Sequence, residues 1–162
     1  MRMMATPGRG ANVSLPTDQH ILITREFDAP RHLVYRAWTT PALVRRWWTA
    51  GRGEATVCDI DLRVGGHWRY ALRVDGMESA FHGEYREIVP NERLVSTEVY
   101  EDIPDAEAVY TVTFRELSPG RTLLSILVQH ATREHRDQYL RYSDGLQAAM
   151  ELFEQVVLEL AR

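Results

Sequence analysis

Few side chains in this chain are of a type and spacing that could carry reaction chemistry. The six histidines, His20, His32, His67, His82, His130 and His135, include no HxH or HxxxH pair, and no carboxylate stands at helical spacing to complete a metal triad. No metal site is expected. His67 and His82 fall on the polar parity of their strands and read as solvated or edge residues. Cys58 is the sole cysteine, so neither an internal disulfide nor a thiolate cluster can form. All nineteen basic residues are arginine, which removes lysine Schiff-base chemistry. No GxSxG elbow, Walker loop or dinucleotide fingerprint occurs. One acid/base candidate is left: Glu98 shares the parity of Leu94 and Ser96, and its facing is open because its neighbours do not decide it. No catalytic residue and no cofactor is assigned.

The chain is instead rich in aromatic surface, concentrated between Phe27 and Trp48. Three of the four tryptophans lie in this stretch, Trp38 on one helix and Trp47-Trp48 side by side at the end of the next. So much ring surface must be packed into a core or line a hole. Ala29-Pro30 opens the first helix, where proline suits a first turn, and Leu33, Val34, Ala37 and Trp38 form its apolar stripe. Thr40-Pro41 restarts the chain as a second helix with Thr40 as its N-cap.

A strand from His20 to Asp28 precedes these helices, with Ile21, Ile23 and Phe27 alternating against Thr24 and Glu26. After Gly51-Arg52-Gly53 the period changes to two. Ala55 to Val64 and His67 to Val74 flank the hairpin signal Gly65-Gly66. Ser79 to Val89, Arg93 to Tyr100, Ala108 to Leu117 and Thr122 to His130 follow with short turns between them. Consecutive strands joined in this way predict an antiparallel meander. From about Glu134 the period returns to 3.6. Tyr139, Tyr142, Leu146, Met150, Phe153, Val157 and Leu160 mark one long amphipathic helix, with Gly145 its weak point. A bend or a close approach of sheet backbone would account for that glycine.

At 162 residues, 44% hydrophobic and 26% charged, the chain is of single-domain size and ordinary globular composition. Residues 1–19, without periodicity, read as a flexible tail, and 20–162 as the domain. The net charge of −4 argues against nucleic acid as partner. No apolar run is long enough for a membrane span and no secretory signal core is present, so a cytoplasmic protein without membrane association is expected.

These elements give an α+β layout: a curved antiparallel sheet of about seven strands wrapped around a long C-terminal helix, with two short helices between strands one and two. Several stretches resemble one family. Phe27-Asp28-Ala29-Pro30-Arg31, Val34 to Thr39, Pro41 and Trp47-Trp48 are similar to bacterial relatives of the activator of the ninety-kilodalton heat-shock protein ATPase, within the START-like, helix-grip superfamily. So are Asp61 to Trp68, which resembles its RxGG hairpin, His82 to Leu94, and Asp144-Gly145-Leu146. The chain departs from the pattern at Ala149 and Met150, where many members carry a glycine and a tryptophan. The resemblance spans about Ile21 to Leu160. It implies a cavity between sheet and C-terminal helix for an apolar ligand, and it implies no reaction.

Trp47, Trp48, Trp68, Tyr70, Leu72, Tyr85, Phe114, Tyr139, Tyr142, Leu146 and Met150 are the expected cavity lining, against the alternative of an ordinary close-packed core. On this reading the two short helices form a lid, with Trp47 and Trp48 near the mouth and Trp38 packed beneath. The leading expectation is a non-enzymatic binding protein for an apolar or aromatic small molecule. A co-chaperone or stress-response interaction domain with a chaperone partner is the alternative, and a cyclase/aromatase-like enzyme the second. The sequence leaves a homodimer open.

Overall fold

A computed structural model describes residues 10–143 and 145–162; Asp144 and the side chain of Tyr142 lie outside the described part. Eight strands form one antiparallel sheet in the order β1-β2-β8-β7-β6-β5-β4-β3. They are β1 (Asn12–Ser14), β2 (His20–Phe27), β3 (Glu54–Ile60), β4 (His67–Val74), β5 (Met77–Val89), β6 (Arg93–Tyr100), β7 (Ala108–Ser118) and β8 (Arg121–His130). Four helices accompany them: α1 (Arg31–Thr39), α2 (Pro41–Trp47), α3 (Arg133–Tyr142) and α4 (Leu146–Leu160). The curved, unclosed sheet with its C-terminal helix is the expected α+β helix-grip architecture.

The strands form because their apolar residues alternate. In β8, Thr122, Leu124, Ile126, Val128 and His130 are buried in turn, and in β2 the buried positions are Ile21, Ile23, Arg25 and Phe27. These inner faces pack on Met150, Phe153, Val156 and Val157 of α4. Burying that stripe is what holds α4 in the curve of the sheet. Arg25 adds a polar tie, with its guanidinium 3.4 Å from Glu154 of α4 and over the Phe27 ring.

Three local expectations differ from what is observed. Residues read as tail supply β1, whose Val13 pairs with Ile23. Ala11 is clamped to α4 by two hydrogen bonds, its N–H donating to Gln147 Oε1 and its carbonyl accepting from Gln147 Nε2. Pro30 is the N-cap of α1 and not its first helical residue. The C-terminal helix is interrupted: α3 ends at Tyr142 with Ser143 as its C-cap, and α4 restarts with Gly145 as its N-cap. A Cβ on Gly145 would meet Arg52 Nη2 at 2.6 Å and Ala50 Cβ at 3.0 Å. The close approach that this glycine allows is therefore to the loop after α2, and not to sheet backbone. That loop closes over the space between α4 and the sheet.

Thr40 joins α1 to α2. Its extended backbone (φ −100°, ψ 116°), the conformation preferred before proline, ends α1 with an N–H to Arg36 O and starts α2 at Pro41. The turn brings Trp38 and Trp47 together over Phe153, with ring centroids 4.9 to 5.8 Å apart.

Candidate functional site

Between the inner face of β4 to β8, the start of α4 and the loop after α2 lies a cavity of about 590 Å³. This is within the range of ligand pockets, roughly 300–1,000 Å³, and far above what a few waters fill. Nine of the eleven expected lining residues surround it: Trp47, Trp48, Trp68, Tyr70, Leu72, Tyr85, Tyr139, Leu146 and Met150. Phe114 does not. It is 1% exposed and packs edge-on against Tyr35 of α1, with centroids 5.3 Å apart. Its parity is inward, but it sits further along β7, where α1 already covers the sheet. The side chain of Tyr142 lies outside the described part.

The adjacent tryptophans part ways, because consecutive helical positions point about 100° apart. Trp47, 5% exposed, turns into the core cluster and donates its indole N–H to Ala37 O at 3.1 Å. It is not at the mouth. Trp48 lies across the cavity, edge-on to Tyr70 and to Phe81 with centroids 5.3 and 5.5 Å apart. Trp68 against Tyr70 and Phe81 stacked on Tyr100 extend these contacts into a continuous aromatic wall. Gly83 makes room for it: a Cβ there would meet Thr97 O at 1.8 Å and Trp68 Nε1 at 2.6 Å. The bare backbone lets Trp68 donate to Thr97 O at 3.1 Å.

The polar content of the cavity is concentrated. Leu94, Ser96, Glu98 and Tyr100 of β6 all face it, which settles the direction of Glu98. Tyr110 Oη donates to Glu98 Oε1 at 3.1 Å, and the Tyr110 and Tyr139 hydroxyls are 2.5 Å apart. With its one proton committed to Glu98, Tyr110 accepts from Tyr139. Burial pushes the Glu98 carboxyl up to about 7, against which the Tyr110 hydrogen bond acts. Glu98 keeps some accessible surface although it is enclosed by protein, so what it exposes opens into the cavity. Tyr139 and Tyr70 are raised by the same burial. His130, beside Tyr139 with ring centroids 5.1 Å apart, is lowered to about 4 by burial and by His135, Arg136 and His20. It is therefore neutral at physiological pH.

The outer face of the sheet is different in kind. Arg69 grips Glu101 with two hydrogen bonds of 2.9 and 3.0 Å, and His82 Nδ1 is 2.9 Å from the same carboxylate. These partners hold Glu101 down at about 2. His67 and Glu84 are exposed and 3.7 Å apart, and Arg86 reaches Glu107 at 3.5 Å. The charges of this face are thus matched across neighbouring strands. Among the described residues no three His, Cys, Asp or Glu side chains come together in a metal-like cluster, and no helix is long and apolar enough to cross a membrane.

A curved antiparallel sheet, a helix in its grip and a cavity between them define a START-like, helix-grip domain. The sequence profile of the family described as "Activator of Hsp90 ATPase homolog 1-like protein" matches residues 28–157, and the chain belongs to that family. Among solved structures, a Rhodobacter sphaeroides protein superposes with a TM-score of 0.85 at 22% identity, covering 93% of this chain and 99% of its own. A Chromobacterium violaceum protein gives 0.73 at 29% identity, covering 86% and 97%. An Arthrobacter aurescens protein gives 0.82 at 23% identity, covering 91% of each chain. No curated protein matches the chain significantly.

Proposed function

We propose that the protein binds an apolar or aromatic small molecule in the cavity between the sheet and α4, and that binding is its function. The observation that carries this reading is the continuous wall formed by Trp68, Tyr70, Trp48, Phe81 and Tyr100 around about 590 Å³ of space. Aromatic rings that line a cavity offer a ligand large contact area at small entropic cost. Native mass spectrometry and thermal-shift screening with flavonoids, polyketide-like aromatics and fatty acids test it. A bound mass adduct with a matching rise in Tm is expected. Retention of none of these classes, nor of an aromatic amine, would overturn the reading.

A second reading, a cyclase/aromatase-type enzyme, is favoured by one observation: Glu98 is a titratable group facing the cavity with a pKa near neutrality, as acid–base catalysis requires. Incubation with poly-β-keto thioester mimics tests it. Cyclised product from the wild type and none from Glu98→Gln is the outcome that would favour catalysis over carriage.

A further inference from the structure

Among the described residues, Glu98 is an enclosed carboxyl with no cation paired to it. Its Oε1 accepts from Tyr110, and among the described residues its Oε2 has no hydrogen-bond partner and neither oxygen is in an ion pair. The remaining charge of the wall does not compensate. Arg52 is the guanidinium among the described lining residues, and two further carboxylates, Glu78 and Asp102, line the same cavity. Glu78 is paired outward with Thr56 and Arg73, and Asp102 accepts from the Tyr100 hydroxyl. The nearby His130 is neutral and supplies no positive charge. An enclosed carboxylate of this kind lacks the partner that buried charges ordinarily have.

We propose that the ligand of this cavity carries a basic nitrogen on an aromatic or apolar body, and that Glu98 holds it. The inference rests on the small-molecule-binding reading above and names the class of molecule. An ammonium group brought to Oε2 forms a charge-assisted hydrogen bond, the stronger kind, in surroundings that screen it little. The faces of Trp48, Trp68 and Tyr70 add attraction for a cation within the same space. A neutral hydroxyl gains only an ordinary hydrogen bond at that oxygen. A carboxylate ligand is repelled by the same group, so fatty acids should be the weakest members of the screen.

Three naphthalene probes that differ only in the polar end separate these cases: naphthylmethylamine, naphthylmethanol and naphthoic acid. Their binding to the full chain at neutral pH is read by tryptophan fluorescence and calorimetry. The amine should bind on the order of tenfold more tightly than the alcohol, and the acid most weakly. In Glu98→Gln, which keeps the shape of the protonated carboxyl, the amine should fall to the level of the alcohol while the alcohol is unchanged. Equal binding of amine and alcohol, preference for the acid, or an amine preference that survives Glu98→Gln would overturn the proposal and leave small-molecule binding standing. Failure of all three probes, with other classes bound, would overturn it in the same way. Failure of these and of the whole screen would take down both readings.

Discussion

Glu98, near the end of β6, and Glu101, the residue just past it, are three positions apart and lie on opposite faces of the sheet. Glu101, on the outside, meets Arg69 and His82 and is held at about 2. Glu98, on the inside, meets a tyrosine hydroxyl and is pushed to about 7. The residue type is the same and the chain neighbourhood nearly so. What differs is whether the described residues supply a cation. On the outer face the charges are matched and the group serves the sheet. On the inner face the mismatch is retained inside a cavity, where a stabilising side chain could have been placed instead. A carboxyl left unmatched in an open space is poised for something from outside the chain.

The contrast presumes that the cavity is open while the neighbouring aromatic cluster is solid, and the widest test sets one against the other. Trp47→Ala truncates a ring packed on Trp38 and Phe153 and should cost roughly 3–5 kcal/mol in denaturant unfolding. Trp48→Ala removes a ring that borders empty space, so it should cost about 1–2 kcal/mol while changing ligand affinity far more than Trp47→Ala does. Equal destabilisation by the two would mean that Trp48 is core as well.

Next in size is the inner acid. The folded state binds the Glu98 proton more tightly than the unfolded chain does, so raising pH through the window from 4.5 to about 7 costs stability, and the cost is complete above about 7. Glu98→Gln should therefore stabilise the protein by on the order of 2–3 kcal/mol at mildly alkaline pH and by almost nothing at acid pH. Urea unfolding of both proteins across that range reads the difference directly, and a gain independent of pH would show that ionisation is not its source.

Smallest is the outer acid. Its depressed pKa gives stability that is present above 4.5 and lost as pH falls toward about 2. Because Arg69 and His82 are substantially exposed, Glu101→Gln should cost below about 1 kcal/mol at neutral pH, less in high salt. A larger loss, insensitive to salt, would make this network a buried one in effect.

Much of this arrangement was legible in the sequence, and the misses have physical causes. Period-two alternation in His20–Asp28 and His67–Val74 exposed the strands, since one face of each is core. Asn12–Ser14 is too short to show any period, and only its partner Ile23 and the Gln147 clamp make it a strand. Gly145 was visible as a weak point, but what it yields to, Arg52 and Ala50, is set by tertiary packing. Parity placed Phe114 on the inner face correctly yet could not say that α1 already occupies that part of it. Trp47 and Trp48 were indistinguishable because a helical pair at the end of an element can turn either ring inward. Glu98 had the parity of Leu94 and Ser96, but Val95 and Val99 on the other parity are equally apolar, so the strand alone could not choose a face.

The central claim, that Glu98 stands enclosed in a ligand-sized cavity with no cation among the described residues, is tested most directly by its own titration. The side-chain carboxyl carbon of Glu98, assigned by comparison with Glu98→Gln, can be followed by NMR through a pH series. The account predicts a midpoint near 7. A midpoint near the ordinary 4.5 would mean that solvent or an unseen cation reaches the group, and would contradict it.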